Sequence, residues 1–247
     1  MKILVCISKT PDTKAKIAFT DNNTKFATEG IQWILNPTDE WYALVKAIEL
    51  KEKDPTTTIH LIMVGTAEAD PLIRKALALG GEEAIRIDLQ PQDALETAAS
   101  IAAVAREGNY DLILTGKETI DFNGGAVGGM IAGFLDYPYI SFATQLQVEN
   151  NRAQFQHKTD EGLASSEAAL PLVISCQKGM AEQRIPNMKG IMSARTKPLH
   201  VVNPSTQQST TQWIDFSLPA TKAGVHLVPA DQPAELVRLL HEEAKVI

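Results

Sequence analysis

The chain lacks most of the features that mark specialised classes of protein. Its 247 residues include only two cysteines, Cys6 and Cys176, and no C-x-x-C pair, so neither a disulfide framework nor a cysteine metal site is expected. No apolar run reaches about 18 residues, which argues against a membrane span. The apolar start at residues 1–5 is too short for a signal peptide. These absences predict a cytoplasmic globular protein.

The chain also lacks an excess of positive charge and recognisable catalytic motifs. The net charge is −7 and there is no lysine-rich block, which argues against nucleic acid as a partner. None of the five histidines has metal-ligand spacing to another histidine, cysteine or aspartate, so no metal site is predicted. The G-x-S-x-G motif of α/β-hydrolases is absent. The sequence therefore shows no catalytic set.

What the chain does contain is an alternation of strand and helix patterns up to about residue 143. Asp39 and Glu40 follow Thr38, a candidate N-cap, and Asp70-Pro71 and Asp93 are further helix starts. This alternation predicts an α/β fold with a doubly wound, mostly parallel sheet. The predicted strands are 3–7, 58–64, 84–89, 111–115 and 138–143.

The pattern changes after residue 143. Short extended runs at 145–148, 154–157 and 163–170 predict a small antiparallel meander. Residues 172–176 are apolar again and can rejoin the main sheet, whereas 177–197 is polar and poor in periodicity. Residues 203–211 are typical of a linker, and 234–244 of a helix. We therefore predict an α/β domain over 1–199 and an extended C-terminal arm over 200–247.

A glycine-rich stretch between Asp111 and Gly133 is the strongest local signal. An apolar strand leads into a glycine-rich loop and then into a helix, which predicts exposed backbone N–H groups at a helix N-terminus. Glycine also lets a ligand approach the backbone closely. The spacing matches neither G-x-G-x-x-G nor the P-loop. The loop therefore either holds the phosphate of a nucleotide or is a tight βα turn.

Other residues allow two interpretations each. Asp121 can cap the helix or meet a ribose hydroxyl, and Asn36 can form a turn or contact a ligand. Cys6 lies near the end of the first strand, where it is either core or ligand contact. The methionines and isoleucines between 180 and 192 are either a docking surface or a cover for the sheet edge.

Several longer segments resemble one family. They are KILVCISKTPDT, ILNPTDEWYALVKAIELKE, RKALALGGEEAIRI, GKETIDFNGGAVGGMIAGFLDYP and LPLVISCQKGMAEQRIPNMKGIMSARTKPL, and they extend over nearly the whole chain. Together they resemble the electron-transfer flavoprotein (ETF) β subunit. The resemblance implies an ETF-like, adenine-nucleotide-binding fold and no enzymatic activity of its own.

The resemblance also implies partners and cofactors. It implies a heterodimer with an α subunit, in which an FAD held mainly by the α subunit passes electrons from flavin dehydrogenases, such as acyl-CoA dehydrogenase, to a downstream acceptor. The β subunit would bury an AMP of structural use. The implied nucleotide contacts are Cys6, Asn36, Val64, Gly65, Asp121, Asn123, Gly124, Gly125, Ala126, Val127, Gly128, Gly129 and Met130. The implied docking residues are Arg184, Ile185, Met188, Ile191 and Met192. The C-terminal arm, including Trp213 and Phe216, would lie against the α subunit.

Three departures from the family pattern qualify these expectations. The usual Asn-Gln-Thr-Gly is here Gly125-Ala126-Val127-Gly128, so the phosphate would rely on backbone N–H groups. This Val-Gly version resembles electron-bifurcating members, whose β subunit binds a second FAD. The usual Leu-Pro-Asn-Ile-Met is here residues 188–192, and the lysine cluster that follows is thinned at 195–198. Two other classes remain as alternatives: an adenine-nucleotide sensor and an ATP-dependent enzyme of related fold.

Overall fold

The computed structural model describes residues 1–221 and 224–247. The strands of this part of the chain are β1 Lys2–Cys6, β2 Lys9–Pro11, β3 Phe19–Thr20, β4 Lys25–Phe26, β5 Trp33–Leu35, β6 Thr58–Val64, β7 Glu83–Ile87, β8 Leu112–Gly116, β9 Tyr139–Glu149, β10 Arg152–Thr159, β11 Gly162–Ala169, β12 Leu172–Cys176 and β13 Leu199–Val202. The α-helices are α1 Asp39–Lys53, α2 Asp70–Leu79, α3 Ala94–Gly108, α4 Val127–Leu135, α5 Met188–Ala194 and α6 Pro233–Arg238.

Nine of these strands form one sheet in the order β11-β10-β9-β12-β8-β1-β6-β7-β13. All neighbours from β9 to β13 along this order are parallel, and β9, β10 and β11 pair antiparallel. The predicted α/β fold with a mostly parallel sheet and an antiparallel meander is confirmed.

Helices cover both faces of the sheet because its central strands are apolar on both sides. On β1, Ile3, Leu4 and Val5 have no exposed surface. Ile3 and Val5 pack in a core with α1 and α2, whereas Leu4 packs in a second core with α3 and α4. This double winding leaves the carboxyl ends of β1, β6 and β8 at one edge, where loops can build a site.

Two local predictions are wrong. Thr38 occupies the N-cap position of α1, but its side chain makes no capping hydrogen bond. The runs predicted as separate strands at 138–143 and 145–148 form the single strand β9. The register shifts within β9, and Phe142 has a φ of 56°, as expected at a bulge. The bulge interrupts the alternation of side chains, which is why the sequence pattern appears as two segments.

Helix α5 and strand β13 are among the elements that the sequence did not predict. Helix α5 lies within the polar segment 177–197, and Asn187 caps it by accepting a hydrogen bond from the Gly190 N–H at 2.8 Å. Strand β13 adds to the edge of the sheet beside β7, so the sheet continues past the predicted boundary at residue 199.

Beyond Val202, the described part of the arm has little regular structure. The predicted helix at 234–244 is present as α6 followed by a π-helical turn, Leu239–Glu243. None of the residues of α6 is buried. Within the described residues, no helix has both the length and the apolar character needed to cross a membrane. The packing of the arm on a partner remains a prediction.

Candidate functional site

A cavity of about 420 Å³ opens at the carboxyl ends of β1, β6 and β8. The chain leaves β1 toward β6 on one side of the sheet and later returns to β8 on the other side. Such a reversal of strand order opens a crevice in which α/β sheets bind ligands. The volume falls within the roughly 300–1,000 Å³ that is common for small-molecule sites.

One end of the cavity is suited to an anion. The loop at 117–126 leads into the N-terminus of α4, whose backbone N–H groups favour negative charge. Thr115, at the end of β8, lines this cavity and is 3% exposed. Among the described residues, its Oγ1 is a buried polar atom without a hydrogen-bond partner. Because such atoms are normally satisfied, the Thr115 hydroxyl is a candidate donor to a ligand that reaches this part of the cavity.

Glycine at position 128 allows this close packing around Thr115. A Cβ at Gly128 would lie 2.8 Å from Thr115 Oγ1 and 3.1 Å from the ring of Tyr139. Gly125 has a φ of 59°, a left-handed conformation that glycine adopts without strain. Gly128 therefore allows α4 to lie close to Thr115 on β8, and Gly125 allows the turn before α4.

A buried acidic side chain, Glu40, lines the same cavity. It accepts hydrogen bonds from the backbone N–H of Ser8, at 2.6 Å, and from the Ser8 hydroxyl. Burial raises the pKa of the Glu40 carboxyl to about 8, the hydrogen bonds from Ser8 oppose that rise, and the charge of Asp121 adds to it. Glu40 is therefore mostly protonated at neutral pH, so it adds little to the negative charge of the other acidic lining residues, Asp93, Glu118 and Asp121.

Both lysines that line the cavity are engaged with other side chains. Lys9 Nζ lies 3.3 Å from a carboxylate oxygen of Glu68 and 4.4 Å from the centre of the Trp33 ring. Lys117 Nζ lies 2.7 Å from a carboxylate oxygen of Glu118, whose hydrogen bond raises the pKa of Lys117. Backbone N–H groups are thus the main donors available to an anion.

Eight of the sequence-predicted nucleotide contacts line this cavity. They are Cys6, Val64, Asp121, Gly124, Gly125, Ala126, Val127 and Gly128. They come from the ends of β1 and β6, the loop before α4 and the first turn of α4, which the fold brings together. Val127 and Gly128 belong to the first turn of α4 rather than to the loop. Their contact with a ligand stays a prediction.

The remaining predicted contacts do not line the cavity. Asn36 is fully buried, and its side-chain amide donates to the Glu118 carbonyl at 2.9 Å and accepts from the Ile120 N–H at 3.2 Å. It therefore braces the loop rather than facing the cavity. Gly65 accepts a hydrogen bond from the Arg86 guanidinium at 2.9 Å. Asn123, Gly129 and Met130 lie in the loop or on α4 outside the lining.

Sequence reasoning missed several lining residues, among them Ser8, Glu40, Thr115 and Trp213. The position of Ser8 after the first strand was a usable signal, because ligands bind there in this type of sheet. Glu40 carried no such signal, because an acidic residue in the first turn of a helix is usually explained by its favourable interaction with the helix dipole. Trp213 reaches the cavity only through the path of the C-terminal arm.

Comparison with known proteins decides the family. Residues 23–207 match the family described as "Electron transfer flavoprotein domain". The chain is 34% identical to the electron transfer flavoprotein subunit beta of Bacillus subtilis, with 100% of both chains covered. It is 35% identical to the subunit of that name from Syntrophomonas wolfei, covering 90% of this chain and 88% of that one. This chain belongs to the electron transfer flavoprotein β-subunit family.

Two further relatives are a human subunit and a subunit of a bacterial reductase complex. The human electron transfer flavoprotein subunit beta is 31% identical, covering 83% of this chain and 82% of the human one. A subunit named CarD, of the caffeyl-CoA reductase-Etf complex of Acetobacterium woodii, is 30% identical, covering 82% of this chain and 78% of that one. Family membership assigns the chain a role in flavin-linked electron transfer.

The segment predicted to dock a dehydrogenase exposes a cluster of apolar side chains. Ile185, Met188, Ile191 and Met192 are 91%, 72%, 42% and 67% exposed. Helix α5, which carries three of them, is fixed to α2, because Arg74 donates to the Ala194 carbonyl at 2.9 Å and Lys197 to the Leu77 carbonyl at 2.8 Å. The apolar side chains are thus held on an anchored helix rather than on a free loop.

Arg184 occupies a different position from the other predicted docking residues of this ETF-family chain. Its guanidinium donates to both carboxylate oxygens of Glu52 on α1, at 2.6 and 3.0 Å, and its carbonyl accepts from the Trp41 indole at 3.2 Å. The residue therefore ties the segment before α5 to α1. Its contact with a partner stays a prediction.

Proposed function

We propose that this chain is the β subunit of a heterodimeric electron-transfer flavoprotein and that its cavity binds AMP in a structural role. The phosphate would lie at the N-terminus of α4, near Thr115, and the base would lie toward β6 and α3. The single observation that best supports this proposal is the buried, unsatisfied Thr115 Oγ1 beside a helix N-terminus at the switch point of the sheet.

FAD, held mainly by the α subunit, would supply the redox chemistry of the complex. This chain would shape the interface and bind the partners, which requires no nucleophile or proton donor. A cytoplasmic location also remains part of the proposal. Co-expression with an α subunit tests the assignment: a β subunit is expected to co-purify with α and a yellow flavin, whereas a stand-alone nucleotide sensor is expected to purify alone and colourless.

A bifurcating type of β subunit, with a second FAD in place of AMP, is the alternative. The Val127-Gly128 pair and the similarity to a subunit of a caffeyl-CoA reductase-Etf complex favour it. The cavity of about 420 Å³ is large enough for a mononucleotide such as AMP. FAD would have to extend beyond the cavity, past Trp213 at its lining.

Replacement of Thr115 by valine tests the phosphate position. Valine removes a buried hydroxyl without a partner, so we expect the ligand-free chain to become more stable by about 1 kcal/mol. The same change removes a donor to the phosphate, so AMP affinity is expected to fall about tenfold or more. Denaturant unfolding and calorimetric titration measure the two effects.

Thr10 offers a matched control for this experiment. Its Oγ1 is also buried without a partner among the described residues, yet Thr10 lies outside the cavity lining. Thr10→Val is expected to stabilise the chain similarly and to leave AMP affinity unchanged. Equal AMP affinities of the Thr115→Val variant and the unmodified chain would contradict the proposed phosphate position.

Met188→Ala tests the docking surface. Met188 is 72% exposed on α5, so its truncation costs the fold little, but it removes apolar area from the proposed contact with a dehydrogenase. We expect electron transfer from an acyl-CoA dehydrogenase to slow about fivefold or more, with αβ assembly intact. Leu163→Ala, at an exposed position on β11, is the control. An unchanged transfer rate for Met188→Ala would refute docking through this residue.

A further inference from the structure

The C-terminal arm crosses the mouth of the cavity as a strap, which we define as residues 205–216. Ser205 N–H donates to the Ser100 hydroxyl on α3 at 3.2 Å, and Thr210 N–H donates to the Asp93 carboxylate at 2.7 Å. At the far end, Phe216 N–H donates to the Asn23 carbonyl at 2.8 Å. The strap is therefore attached to the start of α3 on one side and to the turn between β3 and β4 on the other.

The strap places an aromatic side chain against the cavity. Trp213 lines it together with Phe122 of the glycine-rich loop, and their ring centres are 5.5 Å apart with planes tilted by 34°. Trp213 also stacks on Phe216 at 5.5 Å, and Phe216 stacks on Phe19 at 5.2 Å. The row of rings is thus continuous from the cavity to the β3–β4 hairpin, which fixes the position of Trp213.

These two rings are not part of the folded core. Trp213 is 48% exposed and Phe122 is 65% exposed. The Trp213 indole N–H donates to the Gln92 carbonyl at 3.2 Å, so its polar atom is satisfied. Partly exposed aromatic side chains that line a cavity are typical stacking partners for planar rings.

The lining combines polar and apolar side chains. Ser8 and Thr115 line the cavity together with the N-terminus of α4, where the phosphate is proposed to lie. Val64 and Ile101 are apolar parts of the lining, and the hydrogen bond to Gln92 places Trp213 beside the start of α3. A nucleotide with its phosphate at α4 would bring its base against Trp213 and these apolar side chains.

We propose that Trp213 and Phe122 form the stacking surface for the planar ring of the nucleotide and that the strap holds this surface across the mouth of the cavity. Trp213 is then a residue that determines which ligands bind: it favours those with an aromatic base over sugar phosphates. The inference rests on the proposed nucleotide site and adds the strap to it.

The test compares two ligands that share a phosphate but differ in the base. The full-length chain, freed of bound nucleotide by dialysis, is titrated with AMP and with ribose 5-phosphate. Trp213→Ala is expected to weaken AMP binding about 5- to 100-fold and to leave ribose 5-phosphate binding within about twofold, because only AMP stacks. Trp213→Phe is expected to restore most of the AMP affinity.

Ile214→Ala is the control, because Ile214 lies on the same strap, is 80% exposed and does not line the cavity. It is expected to change neither affinity. An equal loss for both ligands in Trp213→Ala, or no loss for AMP, overturns the inference while the nucleotide site stands. Absence of AMP binding by the unmodified chain overturns the nucleotide site itself.

Discussion

Gly190→Ala is expected to displace helix α5 from helix α2 and to lower electron transfer from a dehydrogenase about tenfold. A Cβ at Gly190 would lie far inside van der Waals contact with the Ala78 carbonyl oxygen on α2. A backbone carbonyl cannot rotate away as a flexible side chain can, so α5 has to move. Met188, Ile191 and Met192 move with it, and the proposed docking surface loses its geometry.

Two measurements separate this local effect from general unfolding. Hydrogen exchange is expected to increase in α5 and to stay unchanged in β1, and the αβ complex is expected to assemble normally. Gly133→Ala is the matched control, because Gly133 lies in α4 and no heavy atom of the described residues outside that helix comes within 4 Å of where an alanine Cβ would lie. Normal transfer in Gly190→Ala would show that the packing of α5 on α2 does not govern docking.

The second large effect is a dependence of stability on pH that arises from Glu40. Its pKa is about 8 in the folded chain, because burial disfavours the charged form, against 4.5 in the unfolded chain. Between these values the folded state binds the extra proton, so the free energy of unfolding falls as pH rises from 4.5 to 8. The full loss is on the order of 5 kcal/mol.

Glu40→Gln is expected to remove this slope, because glutamine stays neutral at every pH and still accepts a hydrogen bond from Ser8. Denaturant unfolding between about pH 5 and pH 9 measures the difference, with the exposed Glu161→Gln as control. Above pH 8, ionised Glu40 also repels an anion in the cavity, so AMP affinity is expected to fall there in the unmodified chain only. If the free energy of unfolding changed with pH equally in the Glu40→Gln variant and in the unmodified chain, the burial of Glu40 as a protonated acid would be contradicted.

Much of the fold could be predicted because its central strands are apolar on both faces. Ile3–Val5 and Leu112–Leu114 are continuous apolar runs, and parallel sheets covered by helices require such runs. Helix α5 and strand β13 were missed for the opposite reason. The apolar side chains of α5 face solvent, and β13 is a four-residue edge strand with His200 and Val201 exposed, so neither shows the pattern of a buried element.

The candidate site could be predicted only where local chemistry marks it. A cluster of glycines after a strand indicates close approach of the backbone, so the loop at 124–128 was accessible to sequence reasoning. Glu40, Thr115 and Trp213 reach the cavity through packing between distant parts of the chain. Their roles depend on burial and on the path of the arm, and neither can be predicted from a local stretch of sequence.

The most direct test of the account is the nucleotide content of the purified complex of this chain with its α subunit. The complex is denatured, and the released nucleotides are separated and quantified. We expect one equivalent of AMP and one of FAD per pair of subunits. Two equivalents of FAD without AMP would contradict AMP binding in favour of the bifurcating alternative, and FAD without any second nucleotide would contradict the cavity at β1 and β8 as a nucleotide site.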